Sequence, residues 1–125
     1  MRSFRWPAVV LAVLLPVLAQ ADVVRHHFTR NVVEREPVDR LNSATNINPL
    51  YYFTELEDMT GATVVHRWRL NNRLMAEVRF QVQGPRWRVY SSKEMLPDWD
   101  GIWKLEVLDG DGNLLATDTI SVLID

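Results

Sequence analysis

The chain has 125 residues, of which 47% are hydrophobic and none is cysteine, and its formal net charge is −2. This length is enough for one domain. The mild acidic balance argues against nucleic-acid binding, which needs a basic surface. Because no disulfide can form, the fold must be stabilised by an apolar core.

The first 21 residues have the pattern of a secretory signal peptide. A short region with two arginines precedes an apolar run at residues 8–18, and Ala19-Gln20-Ala21 fits the cleavage rule. The run is too short to cross a bilayer, which needs about 20 residues. We therefore expect removal of residues 1–21, leaving residues 22–125 as one domain with no membrane span, in the periplasm or secreted. An uncleaved anchor is the alternative.

The next part of the chain alternates strand and loop patterns. Residues 23–31 have the pattern of a first strand, and residues 32–35 extend it or form a separate edge strand that Pro37 ends. Residues 38–49 have no clear period and predict a long loop. Residues 50–56 are rich in aromatic side chains and predict a buried strand, but both of its faces are apolar, which leaves its orientation open.

Residues 62–92 contain three strand patterns joined by two short turns, and they organise the rest of the chain. We predict a three-residue loop, Asn71-Asn72-Arg73, with an Asn in the left-handed conformation. That loop places Trp68 opposite Ala76 and keeps the apolar sets of both strands on one face. A two-residue turn at Gly84-Pro85 would then pair the second strand with the third.

The last part of the chain predicts a loop and a final hairpin. Residues 92–101 predict an irregular loop, and residues 102–109 predict a strand. The glycines of residues 110–112 indicate a turn before a closing strand at residues 114–124. About seven strands and no helical period predict an all-β, antiparallel immunoglobulin-like β-sandwich. A small barrel is the alternative.

Five segments together resemble the bacterial domain-of-unknown-function family 2914, from about Phe28 to Val122. They are Arg35-Glu36-Pro37-Val38-Asp39, Tyr52-Phe53-Thr54-Glu55-Leu56, His66-Arg67-Trp68, Trp87-Arg88-Val89-Tyr90-Ser91-Ser92-Lys93 and Gly101-Ile102-Trp103-Lys104-Leu105-Glu106-Val107. The resemblance implies a bacterial origin and, with the signal peptide, a cell-envelope location. It brings no activity, cofactor or functional residue.

The best candidate for a binding surface is the polar side of the three central strands. Arg and Tyr are enriched at binding hot spots. The residues expected there, with Trp99 from the following loop, are Arg67, Arg69, Arg79, Arg88, Tyr90 and Trp99. An anionic protein would meet the arginines, whereas an exposed Trp99 would stack on a sugar ring. The alternatives are a solvated face with cross-strand pairs such as Arg67–Glu77, and a Trp99 that folds back over one end of the sandwich.

His66 belongs to an inward-facing set, and we predict no catalytic residue, but His66 is the catalytic base or ligand that an enzyme would use. A hydrolase would use it with Asp98 or Asp100 and would need the ring to be accessible beside a cleft. The alternative is a core histidine that hydrogen-bonds a neighbour. Ser91 lies in a Ser-Ser-Lys segment, which lacks the Gly-x-Ser-x-Gly pattern of a nucleophile elbow.

Metal and cofactor motifs are incomplete. Residues 109–113 resemble the opening of a calcium loop, but Leu114 and Ile120 stand where Gly and Glu are needed. His26 and His27 point to opposite faces of a strand, so only one of them could join His66. We predict no metal and no cofactor.

The sequence therefore predicts a non-enzymatic cell-envelope binding module whose partner is a protein or a glycan. An uncharacterised periplasmic hydrolase and a purely structural domain are the alternatives.

Overall fold

The computed structural model describes residues 22–125, and every regular element in this range is a β-strand. The strands are β1 (Asp22–Thr29), β2 (Val32–Val33), β3 (Glu36–Pro37), β4 (Ser43–Thr45), β5 (Leu50–Glu57), β6 (Thr63–Leu70), β7 (Arg73–Gln81), β8 (Arg86–Lys93), β9 (Gly101–Asp109) and β10 (Leu114–Leu123). Within this range no helix could cross a membrane. The predicted signal peptide lies outside the described residues.

Eight of these strands form two sheets that stack on each other. The smaller sheet has the order β1-β5-β8, and the larger has the order β4-β10-β9-β6-β7. Neighbouring strands are antiparallel except β4, which runs parallel to β10. Strands β2 and β3 form a separate hairpin. The predicted all-β immunoglobulin-like sandwich is confirmed.

Aromatic side chains fill the space between the sheets. Trp68 on β6 and Trp103 on β9 are both fully buried, with ring centroids 6.2 Å apart in an edge-on arrangement. Phe28 from the smaller sheet lies 6.0 Å from Trp68 and 5.0 Å from Tyr52. Each such side chain removes about 150–250 Å² from water, which accounts for a stable core in a chain without disulfides.

The turn between β6 and β7 differs from the predicted one. Leu70 pairs with Arg73, so the loop has two residues, and both Asn71 and Asn72 have positive φ, 46° and 69°. Positive φ at both positions is the type I′ pattern that suits a two-residue hairpin. A bulge then adds Met75 to β7, which restores the predicted pairing beyond it, including Trp68 with Ala76. The facing of β6, and of β7 from Ala76 onward, was predicted correctly. The loop length was wrong, and the bulge turns Met75 inward and Leu74 outward, the reverse of the predicted facing.

The predicted hairpin at Gly84-Pro85 is wrong, because this segment crosses from one sheet to the other. Val82 bonds to Ala62 at the end of the larger sheet, and β8 then pairs with β5 in the smaller sheet. Trp87 still faces the interior from that opposite sheet. A Gly-Pro pair marks a change of direction in either arrangement, so the local sequence did not distinguish them.

Two further differences concern the segment before β5. Residues 32–37 form the β2–β3 hairpin with positive φ at Glu34 and Arg35, so of the two predicted alternatives the structure shows a separate strand and not an extension of β1, and the hairpin with β3 was not predicted. The predicted long loop at residues 38–49 contains β4, whose Ala44 is buried in the core. A three-residue strand is too short to show a period in sequence.

Gly101 allows the β6–β7 turn to approach β9. Its φ is 140°, and a Cβ there would lie 2.9 Å from the side-chain amide of Asn71, whose Oδ1 accepts a hydrogen bond from Ile102 N. Gly112 also has a positive φ, 86°, but open space surrounds it.

We expect Gly101→Ala to lower the free energy of unfolding by at least the roughly 1–3 kcal/mol of backbone strain, and by more than Gly112→Ala. Urea denaturation measures both, and equal losses would contradict the close contact with Asn71.

Candidate functional site

The predicted arginine surface is divided between the two sheets. Arg67, Arg69 and Arg79 lie on the outer side of the larger sheet, whereas Arg88 and Tyr90 lie on the outer side of the smaller sheet. The division follows from the crossover before β8. The single patch predicted from sequence therefore does not exist, and each side must be considered separately.

Two arginines on the larger sheet make ion pairs with neighbouring strands. Arg67 Nε donates to Glu77 Oε1 on β7 at 2.7 Å, as predicted, and Arg69 Nε donates to Glu106 Oε1 on β9 at 2.5 Å. Such cross-strand pairs stabilise a sheet by about 0.2–1 kcal/mol each. They hold the guanidinium groups in place but leave part of each side chain exposed.

Two cations on the same side have no such partner. Within residues 22–125, neither the exposed Arg79 nor the half-buried Lys104 makes a side-chain hydrogen bond or ion pair. We call Arg67, Arg69, Arg79 and Lys104 the basic face. The four cations outnumber the carboxylates of Glu77 and Glu106 by two.

This excess of positive charge contrasts with the rest of the domain. Removing Arg2 and Arg5 from the 14 basic residues leaves 12 against 16 acidic ones, a net charge of −4 for residues 22–125. A positive surface on a negative domain is electrostatically selective, because it attracts an anionic partner only in one orientation.

A shallow depression of about 370 Å³ adjoins the basic face. Asn71, Asn72, Ile102, Lys104 and Thr119 line it. Ile102 is 53% exposed, which places an apolar side chain among amide, hydroxyl and ammonium groups. An apolar contact ringed by polar groups is the usual composition of a protein-binding surface.

The outer side of the smaller sheet is covered by an ion-pair network. Glu36 on β3 accepts hydrogen bonds from Arg25 on β1 and Arg88 on β8, which we call the clasp. Glu55 on β5 accepts from Arg25 and from Arg86. The bonds from Arg25, with a second contribution from Arg88, lower the pKa of Glu36 to about 2.

The clasp protects an aromatic ring that belongs to no core cluster. Phe53 is fully buried although it faces outward on β5, and Arg25 lies 4.9 Å from its ring centroid. Arg88 is thus occupied in holding the β2–β3 hairpin. Tyr90, which is 41% exposed, is the member of the predicted set on this side that has room for a partner.

Trp99 folds back against the end of the sandwich. Its ring lies 6.3 Å from Trp103 in an edge-on arrangement, and Lys93 Nζ lies 4.3 Å from its centroid. Its carbonyl also accepts a hydrogen bond from Trp103 Nε1 at 2.8 Å. With Lys93 over its ring, Trp99 covers the end of the sandwich and does not offer an exposed aromatic face to a sugar.

His66 is fully buried and connects the two sheets. Its Nε2 lies 2.6 Å from Thr54 Oγ1 and its Nδ1 lies 2.7 Å from Ser91 Oγ, which also accepts from Trp68 Nε1 at 3.0 Å. Burial lowers the pKa of His66 to about 3, so the ring is neutral at pH 7. A neutral imidazole donates through one nitrogen and accepts through the other, and the two hydroxyls satisfy both.

The contact between Ser91 and His66 resembles a nucleophile and its base, but it cannot act as one. His66 has no exposed surface and Ser91 only 7%. Asp98 and Asp100, the predicted loop carboxylates, are exposed. The hydrolase prediction required an accessible ring beside a cleft, and the burial of His66 rules out that mechanism.

A second inter-sheet contact was missed by the sequence reasoning. Asp118 on β10 faces inward, and its Oδ2 lies 2.6 Å from Tyr52 Oη and 2.6 Å from His26 Nδ1. Burial and the neighbouring Asp118 raise the pKa of Tyr52, which therefore remains a donor. The two partners lie 66 and 92 residues away in sequence, so no local signal pointed to them.

Metal ligands do not cluster in the part of the chain that the structure describes, where no group of three His, Asp or Glu side chains could hold an ion. In the glycine turn of residues 109–113, Asp109 accepts hydrogen bonds from Asp111 N, Asn113 N and Asn113 Nδ2. The Asp109 carboxylate, the first ligand of the calcium-loop pattern, is thus engaged in hydrogen bonds within its own turn.

Comparison with known protein families assigns the chain. The family model described as "Protein of unknown function (DUF2914)" matches residues 61–122, which include β6 to β9 and all but the last residue of β10. The chain belongs to the DUF2914 family. The family predicted from sequence is confirmed, and the match contains three of the five segments that carried the resemblance. Membership in DUF2914 transfers no activity. A comparison with curated protein sequences found no match.

Two solved structures are similar to this DUF2914 domain in fold. An immunoglobulin-like protein from Pseudomonas aeruginosa has 14% identity and a TM-score of 0.47, over 85% of this chain and 98% of that one. The CARDB domain of a Pyrococcus furiosus protein, solved in complex with di-metal ions, has 12% identity and a TM-score of 0.49, over 84% and 96%.

The burial of His66 predicts a pH dependence of stability. Because its pKa is lower in the folded than in the unfolded state, protonation favours unfolding, and stability should fall as pH drops from about 6.5 towards 3. The slope from one such group approaches about 1.4 kcal/mol per pH unit. Burial also lowers the pKa of His27 and adds to the effect in the same direction.

Urea denaturation of the wild type, His66→Gln and His27→Gln between pH 7 and pH 5 measures each contribution. In this interval the carboxylates stay largely ionised, so we expect His66→Gln to flatten the dependence more than His27→Gln does. An unchanged slope in His66→Gln would contradict the assignment.

Proposed function

We propose that this domain is a non-enzymatic interaction module of the bacterial cell envelope that binds an anionic protein surface through the basic face. The observation that carries the proposal is the excess of two positive charges, beside an exposed apolar depression, on a domain of net charge −4. The burial of the Ser91–His66 pair supports a role in binding rather than catalysis.

A protein partner is better supported than a glycan. Sugar recognition by stacking needs an exposed aromatic face, whereas Trp99 packs on Trp103 beneath Lys93. The outer side of the larger sheet instead offers guanidinium and ammonium groups. Arg in particular suits carboxylates, because its planar fork can bind both oxygens at once.

The envelope location rests on the signal-peptide pattern of residues 1–21. An exported domain without cysteine folds independently of the redox state of its compartment. Gel mobility and N-terminal sequencing of the protein recovered from a periplasmic extract test both export and the predicted cleavage before Asp22.

Partner binding is tested by replacing the two cations that make no ion pair. We expect Arg79→Ser with Lys104→Ser to abolish partner capture while the unfolding midpoint stays nearly unchanged, because neither side chain supports a neighbour. The matched control is Arg35→Ser with Arg40→Ser, which removes the same charge away from the basic face. Equal capture by both double variants would refute the proposed surface.

The partner itself can be trapped in cells. A photo-crosslinking residue at Thr119, in the depression, should yield one dominant adduct, and the same residue at Val33, on the β2–β3 hairpin, should not. Binding of the purified partner should weaken with added salt, because the attraction is electrostatic. An adduct that forms equally from both positions would contradict the proposal.

A further inference from the structure

Strand β7 is an open edge of the larger sheet. It pairs with β6 on one side, and no strand among residues 22–125 pairs with it on the other. It has nine residues, Arg73–Gln81, so it presents a long row of backbone donors and acceptors. An open edge of this length is a template for another strand unless the protein protects it.

The inner side of β7 is only partly covered by the smaller sheet. Ala76 and Phe80 are half-buried against the core, and Val78 between them is half-buried without joining the core cluster. Leu74, which the bulge at Met75 turns to the outer side beside Arg69, is 51% exposed. An added strand would therefore find apolar side chains to cover as well as backbone groups to bond.

The sequence of β7 is complementary to itself in one antiparallel register. With Val78 opposite its own copy, Glu77 faces the second copy's Arg79, and Arg79 faces the second copy's Glu77. In the same register small Ala76 faces large Phe80. Opposite charges and matched sizes in directly facing positions stabilise a sheet, whereas like charges destabilise it.

Neighbouring registers lose this match. Centring the pair on Glu77 or on Arg79 places two like charges opposite each other. Centring it between residues places inward side chains opposite outward ones, which the two-residue period of a strand forbids.

Glu77 also has capacity for a second bond, because Arg67 uses its Oε1 and Oε2 has no partner within residues 22–125.

We propose that two copies of this domain associate through β7, antiparallel about a two-fold axis at Val78, and join two five-stranded sheets into one of ten strands. Such an isologous contact closes on itself and buries the same segment from each copy. Pairing at the edge supplies backbone hydrogen bonds, and the side-chain complementarity supplies the register. The dimer does not require the proposed partner of the basic face, but Arg79 belongs to both surfaces, so self-association and partner capture are measured separately.

Disulfide trapping tests the register, since the chain has no cysteine of its own. Directly facing residues in an antiparallel pair have Cα atoms about 4.5–5.5 Å apart, within the disulfide range. We expect Val78→Cys in the full chain to give a covalent dimer under mild oxidation. Gln81→Cys, exposed on the same strand, should not, because its two copies would lie several residues apart. Equal cross-linking of both variants would overturn the proposal.

Charge reversal tests the pairing without a covalent bond. Glu77→Arg and Arg79→Glu should each weaken the dimer about tenfold or more by placing like charges opposite each other. A one-to-one mixture of the two variants should recover a heterodimer, because both arginines of one copy then face both glutamates of the other. Analytical ultracentrifugation measures the wild type, the two variants and their mixture, and circular dichroism checks that each variant is folded. A wild-type monomer at millimolar concentration, or no recovery in the mixture, would overturn the proposal.

Discussion

The hydrogen bonds of His66 determine how the two sheets lie on each other. The ring reaches Thr54 on β5 and Ser91 on β8, so β6 must lie opposite these two strands. Tyr52 and His26 reach Asp118, which places β10 opposite β5 and β1. Apolar packing alone would allow one sheet to slide over the other, whereas a buried polar group that loses its hydrogen-bond partner destabilises the fold. In the described residues every fully buried side-chain nitrogen and oxygen has a partner.

This alignment decides which surfaces remain available. A three-stranded sheet cannot cover a five-stranded one, and the polar contacts place the uncovered part at β7. The smaller sheet is in turn closed from outside by the β2–β3 hairpin. The outer side of the larger sheet is left with its cations and its depression, and β7 is left as an edge strand of nine residues.

Much of the fold followed from local patterns, because alternation records which side of a strand meets the core. The pairing of Trp68 with Ala76 was predicted for that reason. Loop length was harder to predict, since the bulge at Met75 compensates for a shorter turn. Sheet membership was not predictable from Gly84-Pro85, because a hairpin and a crossover begin with the same change of direction.

The candidate site was less predictable because its geometry depends on distant residues. Arg88 has the same local pattern as Arg67, and only the topology places them on different sheets. The aromatic pattern of residues 50–56 predicts a buried strand, and Phe53 is buried, but on the outer side of β5 beneath Arg25. Asp118 lies in the predicted closing strand, and its role appears only when β1 and β5 lie beside it.

The clasp has a consequence for how the domain responds to its medium. Glu36 and its two arginines lie near the surface, where ions weaken attraction within a Debye length of about 8 Å at physiological ionic strength. The hydrogen bonds inside the core are not screened in this way. Concentrated salt should therefore loosen the hairpin first and expose the ring of Phe53 to water, so that the domain presents more apolar surface at high ionic strength while its two sheets stay together.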